Sequence, residues 1–285
     1  MQPNTTPMPS AVDDAPVRMF ENHPRRLPIV VGAVAFVLLA AAPLSAATFR
    51  VNSTADTDDG VCGTAPGECT LREAIVAAVD TAGRDTIRFA PDVFVAGSES
   101  VFIELLTPLP VVADPAGTVI DGAGASVRIY GRDTISNGLV FASGPGVALG
   151  KVTVANLAVQ GFGAHGIHVC GGEPPECDAD VTGTLLRNVV AANCGGTGIR
   201  VEGRVNKKPR VVDSLTFATG NDGIRLAASQ SMIGARVEGS TATRCGGSGI
   251  ALGAERQTGS AVVDSFAIKC VLEGVFMGDE GANVK

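Results

Sequence analysis

Tryptophan is absent from these 285 residues, tyrosine occurs once and histidine three times. A surface so poor in flat rings offers few platforms for stacking sugars. Charged residues make up only 18% of the chain, and the net charge is −7. An acidic chain without a basic face is a poor match for nucleic acid, and that partner is excluded. Cysteines paired at two-residue spacing are missing, and no histidine cluster accompanies the cysteines except His165 and His168, so a zinc site is not expected. Acidic residues do not gather as calcium requires: Asp56-Thr57-Asp58-Asp59-Gly60 opens like a calcium loop but lacks the downstream bidentate glutamate, and is read as a turn. Glycoside hydrolysis needs two convergent carboxylates. Asp213 and Asp264 share a repeat position but lie two repeats apart. No cofactor, no metal and no catalytic residue is assigned.

What the chain has is glycine and repetition. With 45% hydrophobic residues and 36 glycines, it is too apolar for disorder and too rich in glycine for a helical bundle. Five times a glycine precedes a branched aliphatic residue, a variable residue and an apolar one. The copies begin at Gly166, Gly198, Gly223, Gly249 and Gly274, in steps of 32, 25, 26 and 25 residues. A period near 25 predicts a solenoid whose coils bury their apolar side chains against one another. The residues after the glycines, Ile167, Ile199, Ile224, Ile250 and Val275, suit inward positions of a pleated strand. Twelve residues before the glycines stand Val154, Leu186, Val211, Val237 and Val262, a second inward column. Ten before them stand Asn156, Asn188, Asp213, Gly239 and Asp264, residue types that tolerate the left-handed backbone of a sharp bend. Each coil is thus expected to hold two strands around a bend, a turn and a third strand. Before residue 150 the period loosens. Thr86 to Phe89, Val101 to Leu106, Val119-Ile120, Val127 to Tyr130 and Leu139 to Phe141 read as strands of less regular coils. One helix is expected: Thr70-Leu71-Arg72-Glu73 is a capping box, and Leu71, Ala74, Ile75 and Ala78 give it an apolar face.

Arg25-Arg26 precede an uncharged run from Leu27 to Thr48, apolar from Ile29 to Ala42, then Pro43 and the small residues Ser45-Ala46-Ala47. This is the order of a secretory signal peptide, here with a long leader, over residues 1–47. The alternative is an uncleaved membrane anchor, since about 20 apolar residues span a bilayer. Cleavage leaves the net charge at −7, because the removed segment carries three charges of each sign. Residues 48–84 then form an N-terminal cap and residues 85–285 the repeats. Seven cysteines in an exported chain predict disulfides. Cys62 and Cys69 bracket one turn-rich loop, Cys170 and Cys177 another, and local bridges are expected in both. The second loop accounts for the long step of 32 residues. Cys194, Cys245 and Cys270, four residues before their glycines, are expected to be reduced and buried.

The segments Val51-Asn52-Ser53-Thr54-Ala55-Asp56-Thr57 and Cys69-Thr70-Leu71-Arg72-Glu73-Ala74-Ile75 resemble the start of bacterial exported proteins named for a CSLREA motif, with Thr70 in place of the serine. The resemblance implies a right-handed, single-stranded parallel β-helix of the pectate-lyase-like type, an all-β fold in the secreted fraction or cell envelope. It carries no catalytic residue to this sequence. Nothing in the chain is similar to the paired-aspartate and Gly-His-Gly signatures of β-helical pectin hydrolases.

Two residues after the repeat glycines come His168, Arg200 and Arg225, expected to form an outward column on three coils. The segment 203–210 adds Arg204, Lys207, Lys208 and Arg210. Such a strip is a candidate site for the uronate or sulfate groups of an anionic polysaccharide; the alternative is a set of solvated charges that discourages strand pairing. The expected function is a non-enzymatic surface or secreted module, structural or adhesive. The alternative is a lyase-like enzyme on an anionic glycan, with Asp222 or Asp213 beside Arg225. Apolar residues in the last repeat, Val275 and Phe276 among them, predict self-association through an uncovered edge.

Overall fold

The computed structural model describes residues 46–97, 101–278 and 283–284. They lie in a compact unit spanning Pro43–Lys285. The expected signal peptide falls, up to residue 45, outside the described residues. Among the described residues, no helix is long and apolar enough to cross a membrane.

Among the described residues the architecture is all-β with one helix, compatible with a parallel β-helix. One sheet has 14 strands and the other eight. From Leu139 onward the chain alternates between the two sheets, and partner strands there are about one repeat apart in sequence. The expected columns appear as ladders in register. Leu139, Ile167, Ile199, Ile224, Ile250 and Val275 pair in that order along the smaller sheet. Along the larger one run Ile87, Ile120, Val154, Leu186, Val211, Val237 and Val262. Apart from half-buried Val275, every member of both ladders is buried. Each such side chain stabilises the fold by about 1.5–3 kcal/mol relative to exposure. A third ladder, Ile129, Val159, Ala191, Thr216, Ala242 and Ala267, narrows toward the C-terminus.

The bends occur where the sequence places them. Asn156, Asn188, Asp213, Gly239 and Asp264 all have positive φ, between 46° and 59°. The two asparagine side chains help to hold the repeats together: Asn188 donates from Nδ2 to Asn156 Oδ1 at 2.9 Å, and Asn156 donates to Asp121 Oδ1 at 2.7 Å. At one turn in three successive repeats the backbones approach so closely that only glycine fits. A Cβ on Gly195, Gly220 or Gly246 would lie 2.3, 2.0 or 2.1 Å from the carbonyl oxygen of Gly163, Gly195 or Gly220 respectively.

The helix spans Leu71–Asp80, and Thr70 and Glu73 complete the capping box. Leu71, Ala74, Ile75 and Ala78 are buried, as the helical spacing requires. A short strand, Thr48–Val51, precedes it and pairs with Thr86–Phe89. The loop that opens like a calcium site is a clasp. Asp56 holds Arg72 at 2.7 Å, and Arg72 also donates to the carbonyls of Thr107 and Pro108. Asp58 and Asp59 accept from backbone amides two residues on, as turn-forming aspartates do.

Both expected bridges are present, Cys62–Cys69 and Cys170–Cys177, and they fit an oxidising, extracytoplasmic environment. Cys194, Cys245 and Cys270 are free thiols. Burial pushes Cys194 up to about 11; burial together with the neighbouring Cys270 pushes Cys245 up to about 12. The expectation that all three are buried fails at Cys270, which is half-buried. The next repeat covers Cys194 and Cys245, whereas Cys270 leads into Val271 and Leu272, themselves 75% and 61% exposed.

Candidate functional site

Alternation along a strand sets the face on which each side chain stands. In Ile167–Cys170, the ladder residues Ile167 and Val169 point into the core, leaving His168 and Cys170 on the opposite face. In Ile199–Lys207, the same alternation gives that face Arg200 and Glu202. The two strands run in register, with His168 beside Arg200 and Cys170 beside Glu202. Arg225 follows beside Arg200 on the next strand. The expected column His168–Arg200–Arg225 is therefore contiguous.

Its exposure differs from the expectation at one end. Arg225 is exposed and Arg200 half-buried, but His168 is only 5% exposed. The loop from Gly171 to Cys177 folds back over the outward face and brings Cys177 beside His168. Its position depends on the bridge to Cys170 and on the amides of Gly171 and Ala179, which pair with Glu202 and Gly171 carbonyls at 3.0 and 2.9 Å.

Under this loop is a polar cluster centred on Glu202. Glu202 Oε1 lies 2.7 Å from His168 Nε2, and Oε2 accepts from Arg200 at 2.7 Å. Burial pushes the Glu202 carboxyl up, but hydrogen bonds from His168 and Arg200 and their charges outweigh it, so the net shift is below the usual carboxylate range. Cys177 Sγ is 3.2 Å from Glu202 Oε1 and 3.9 Å from His168 Nε2. A disulfide sulfur has no proton to donate, so these are close packing contacts. His168, Cys170 and Cys177 present ligand-type atoms all within 4.8 Å of one another. His165 borders the cluster: its ring packs edge-on against His168, and its Nδ1 accepts from the Thr197 amide at 3.1 Å. Its Nε2 then carries the proton and faces Arg200 Nη1 at 3.3 Å, donor against donor. Burial, with His168 and Arg200 beside it, lowers His165 to about 4. It is a neutral imidazole at ordinary pH.

The remaining sequence candidates lie elsewhere. Lys207, Lys208 and Arg210 are exposed at the far end of the same strand and the corner beyond it. Lys207 and Arg204 both reach Asp180, at 3.6 and 2.9 Å, and Arg210 reaches Glu238 at 3.8 Å. Lys208 and Arg210 line a shallow groove with Arg236 and Glu238. Arg225 pairs with Asp222 at 3.1 Å. The six basic candidates thus fall into two groups at opposite ends of Ile199–Lys207. Glu202 was not a sequence candidate, although it stands two residues after Arg200 and so shares its face. Two openings reach the cluster: a cleft of about 300 Å³ bordered by Cys177, Glu202 and Arg225, and one of about 190 Å³ bordered by His165, His168, Arg200 and Glu202.

Compared with family models, with curated proteins and with solved structures, the chain matches none.

Proposed function

We propose that the protein is an exported, right-handed, single-stranded parallel β-helix with the Leu71–Asp80 helix over its first repeat, acting as a non-enzymatic structural or adhesive module of the cell surface or secreted fraction. The resemblance of residues 51–75 to CSLREA-motif exported proteins belongs to this reading, and the two disulfides support its extracytoplasmic placement. One observation carries it: among the cations that could grip an anionic glycan, Arg200, Arg225, Lys207 and Arg210 are engaged by the protein's own carboxylates. Arg200 is held by Glu202, Arg225 by Asp222, and Lys207 by Asp180. Partners of this kind neutralise a strip before any ligand reaches it. Such pairs suit a surface that must avoid unwanted strand pairing.

The test is a panel of uronate and sulfated polymers offered to the purified mature chain. The expected result is no depolymerised, epimerised or ultraviolet-absorbing unsaturated product. Unsaturated product that disappears in Arg225→Ala overturns the reading in favour of a lyase-like enzyme. The same reading includes self-association through the last repeat. There Phe266, Val271 and Leu272 are exposed, and the strand Phe266–Ile268 pairs on only one side among the described residues. Sedimentation of a concentration series checks it, and a monomer at every concentration overturns it.

A further inference from the structure

Under the Gly171–Cys177 loop, ligand-type atoms of His168, Cys170 and Cys177 lie within 4.8 Å of one another, and Glu202 Oε1 lies against two of them. His168 and Cys170 share the outward face of one strand, Glu202 stands beside Cys170 on the next, and the loop returns Cys177 to the same place. A tetrahedral zinc ion holds sulfur at about 2.3 Å and nitrogen or oxygen at about 2.0–2.2 Å, which sets its ligand atoms roughly 3.3–3.8 Å apart. Cys177 Sγ lies 3.9 Å from His168 Nε2 and 3.2 Å from Glu202 Oε1, and His168 Nε2 lies 2.7 Å from Glu202 Oε1. The two sulfurs, bonded to each other, and the close His168–Glu202 pair must both open toward such spacing.

We propose that His168, Cys170, Cys177 and Glu202 form a zinc site whose ligands the Cys170–Cys177 disulfide locks when oxidised and releases when reduced. A trialkylphosphine and one water convert the bridge to two thiols and a phosphine oxide; a thiol reductant does the same by forming its own disulfide. Zinc then displaces the two thiol protons to solvent and binds two thiolates, the Glu202 carboxylate and the His168 Nε2 lone pair, the imidazole proton residing on Nδ1. The charges balance: two thiolates and one carboxylate meet the divalent cation and the Arg200 guanidinium. Arg200 already holds the other oxygen of Glu202 at 2.7 Å, the kind of outer contact that orients a metal-binding carboxylate. The cleft bordered by Cys177 and Glu202 gives reductant and metal a way in. Zinc and disulfide exclude each other, since re-forming the bridge removes two ligands and expels the ion.

The experiment uses the chain reduced with a charged phosphine, freed of excess reductant without air, and titrated with cobalt(II) as the spectroscopic stand-in for zinc. The expected result is one equivalent bound, with thiolate-to-cobalt charge-transfer absorption and tetrahedral d–d bands that zinc abolishes. The oxidised chain should show neither. The bands should persist in Cys62→Ser/Cys69→Ser, vanish in Cys170→Ser/Cys177→Ser, and need about 10–100-fold more cobalt in Arg200→Ala. Bands of full strength in Cys170→Ser/Cys177→Ser assign the metal to other thiols and overturn the proposal. It is also overturned if the reduced chain keeps its circular dichroism but shows no bands. Loss of the fold on reduction that cobalt does not restore overturns it as well.

Discussion

Gly220→Ala adds one methyl group at a point where two repeats nearly touch. The new Cβ would sit 2.0 Å from the carbonyl oxygen of Gly195, whereas ordinary contact begins at 3.4 Å. The obstacle is backbone, so no rotamer change relieves it. The repeats must part locally by about 1.4 Å, the difference between those two distances. Two hydrogen bonds cross that gap, from the Gly220 amide to Cys194 O at 2.8 Å and from the Asn221 amide to Gly196 O at 3.1 Å, and the movement stretches both past useful length. Losing them costs about 0.5–1.5 kcal/mol each, and the overpacking itself about 1–3 kcal/mol. Alanine returns roughly 0.4–1 kcal/mol by stiffening the unfolded chain. The expected net loss is about 1–5.5 kcal/mol. Gly253→Ala is the matched control: its Cβ would meet nothing within 4 Å, and its φ is not in the left-handed range. That variant should be neutral or slightly stabilised. Urea unfolding followed by circular dichroism reads both. Equal midpoints for the two variants would refute the reasoning.

Three further outcomes are expected. Asn188 has φ 51° and donates to Asn156 at 2.9 Å, so Asn188→Val should cost about 2–3 kcal/mol in the same assay and Asn188→Gly clearly less. His165 is lowered from 6.5 to about 4; between those values the unfolded chain binds the extra proton, so its contribution is complete above pH 6.5 and declines as the pH falls toward 4. Unfolding midpoints across that range should slope less in His165→Gln, and an unchanged slope counts against the assignment. Alkylation of the native protein should modify half-buried Cys270 well before Cys194 and Cys245, whose thiols are buried and raised to about 11 and 12; peptide mass mapping at early times checks the order.

Much of the fold was legible in the sequence because a repeat turns burial into a pattern. Ile199, Ile224 and Ile250 recur at one position, and that recurrence alone predicts the ladder they form. The bend column was legible for a different reason: asparagine, aspartate and glycine are the residues that bear positive φ. The candidate site was only half legible. The sequence places His168, Arg200 and Arg225 in one column but does not reveal that His168 is covered, because that depends on how the Gly171–Cys177 loop returns. Glu202 was within reach of strand alternation, yet its link to His168 across 34 residues appears only when the repeats are stacked in register. Cys270 shares its sequence column with two buried cysteines, and its exposure is set by its neighbours in space. The third ladder went unread because its members shrink from isoleucine to alanine and so vary in identity.

The register of the ladders also bears on how such a chain changes length. Because the bend residues Asp213 and Gly239 occupy equivalent places, excising residues 213–238 would join Val212 to Gly239 with every column still continuous. Ile199 would then meet Ile250, and Val211 would meet Val262, like replacing like. Recombination between repeats is thus in frame with the fold as well as with the code, and the protein's reach along the stack changes in whole steps of about 4.8 Å. The Cys170–Cys177 loop is the feature that such an exchange cannot move without notice. It interrupts a single repeat, and it marks one fixed address on an otherwise interchangeable scale.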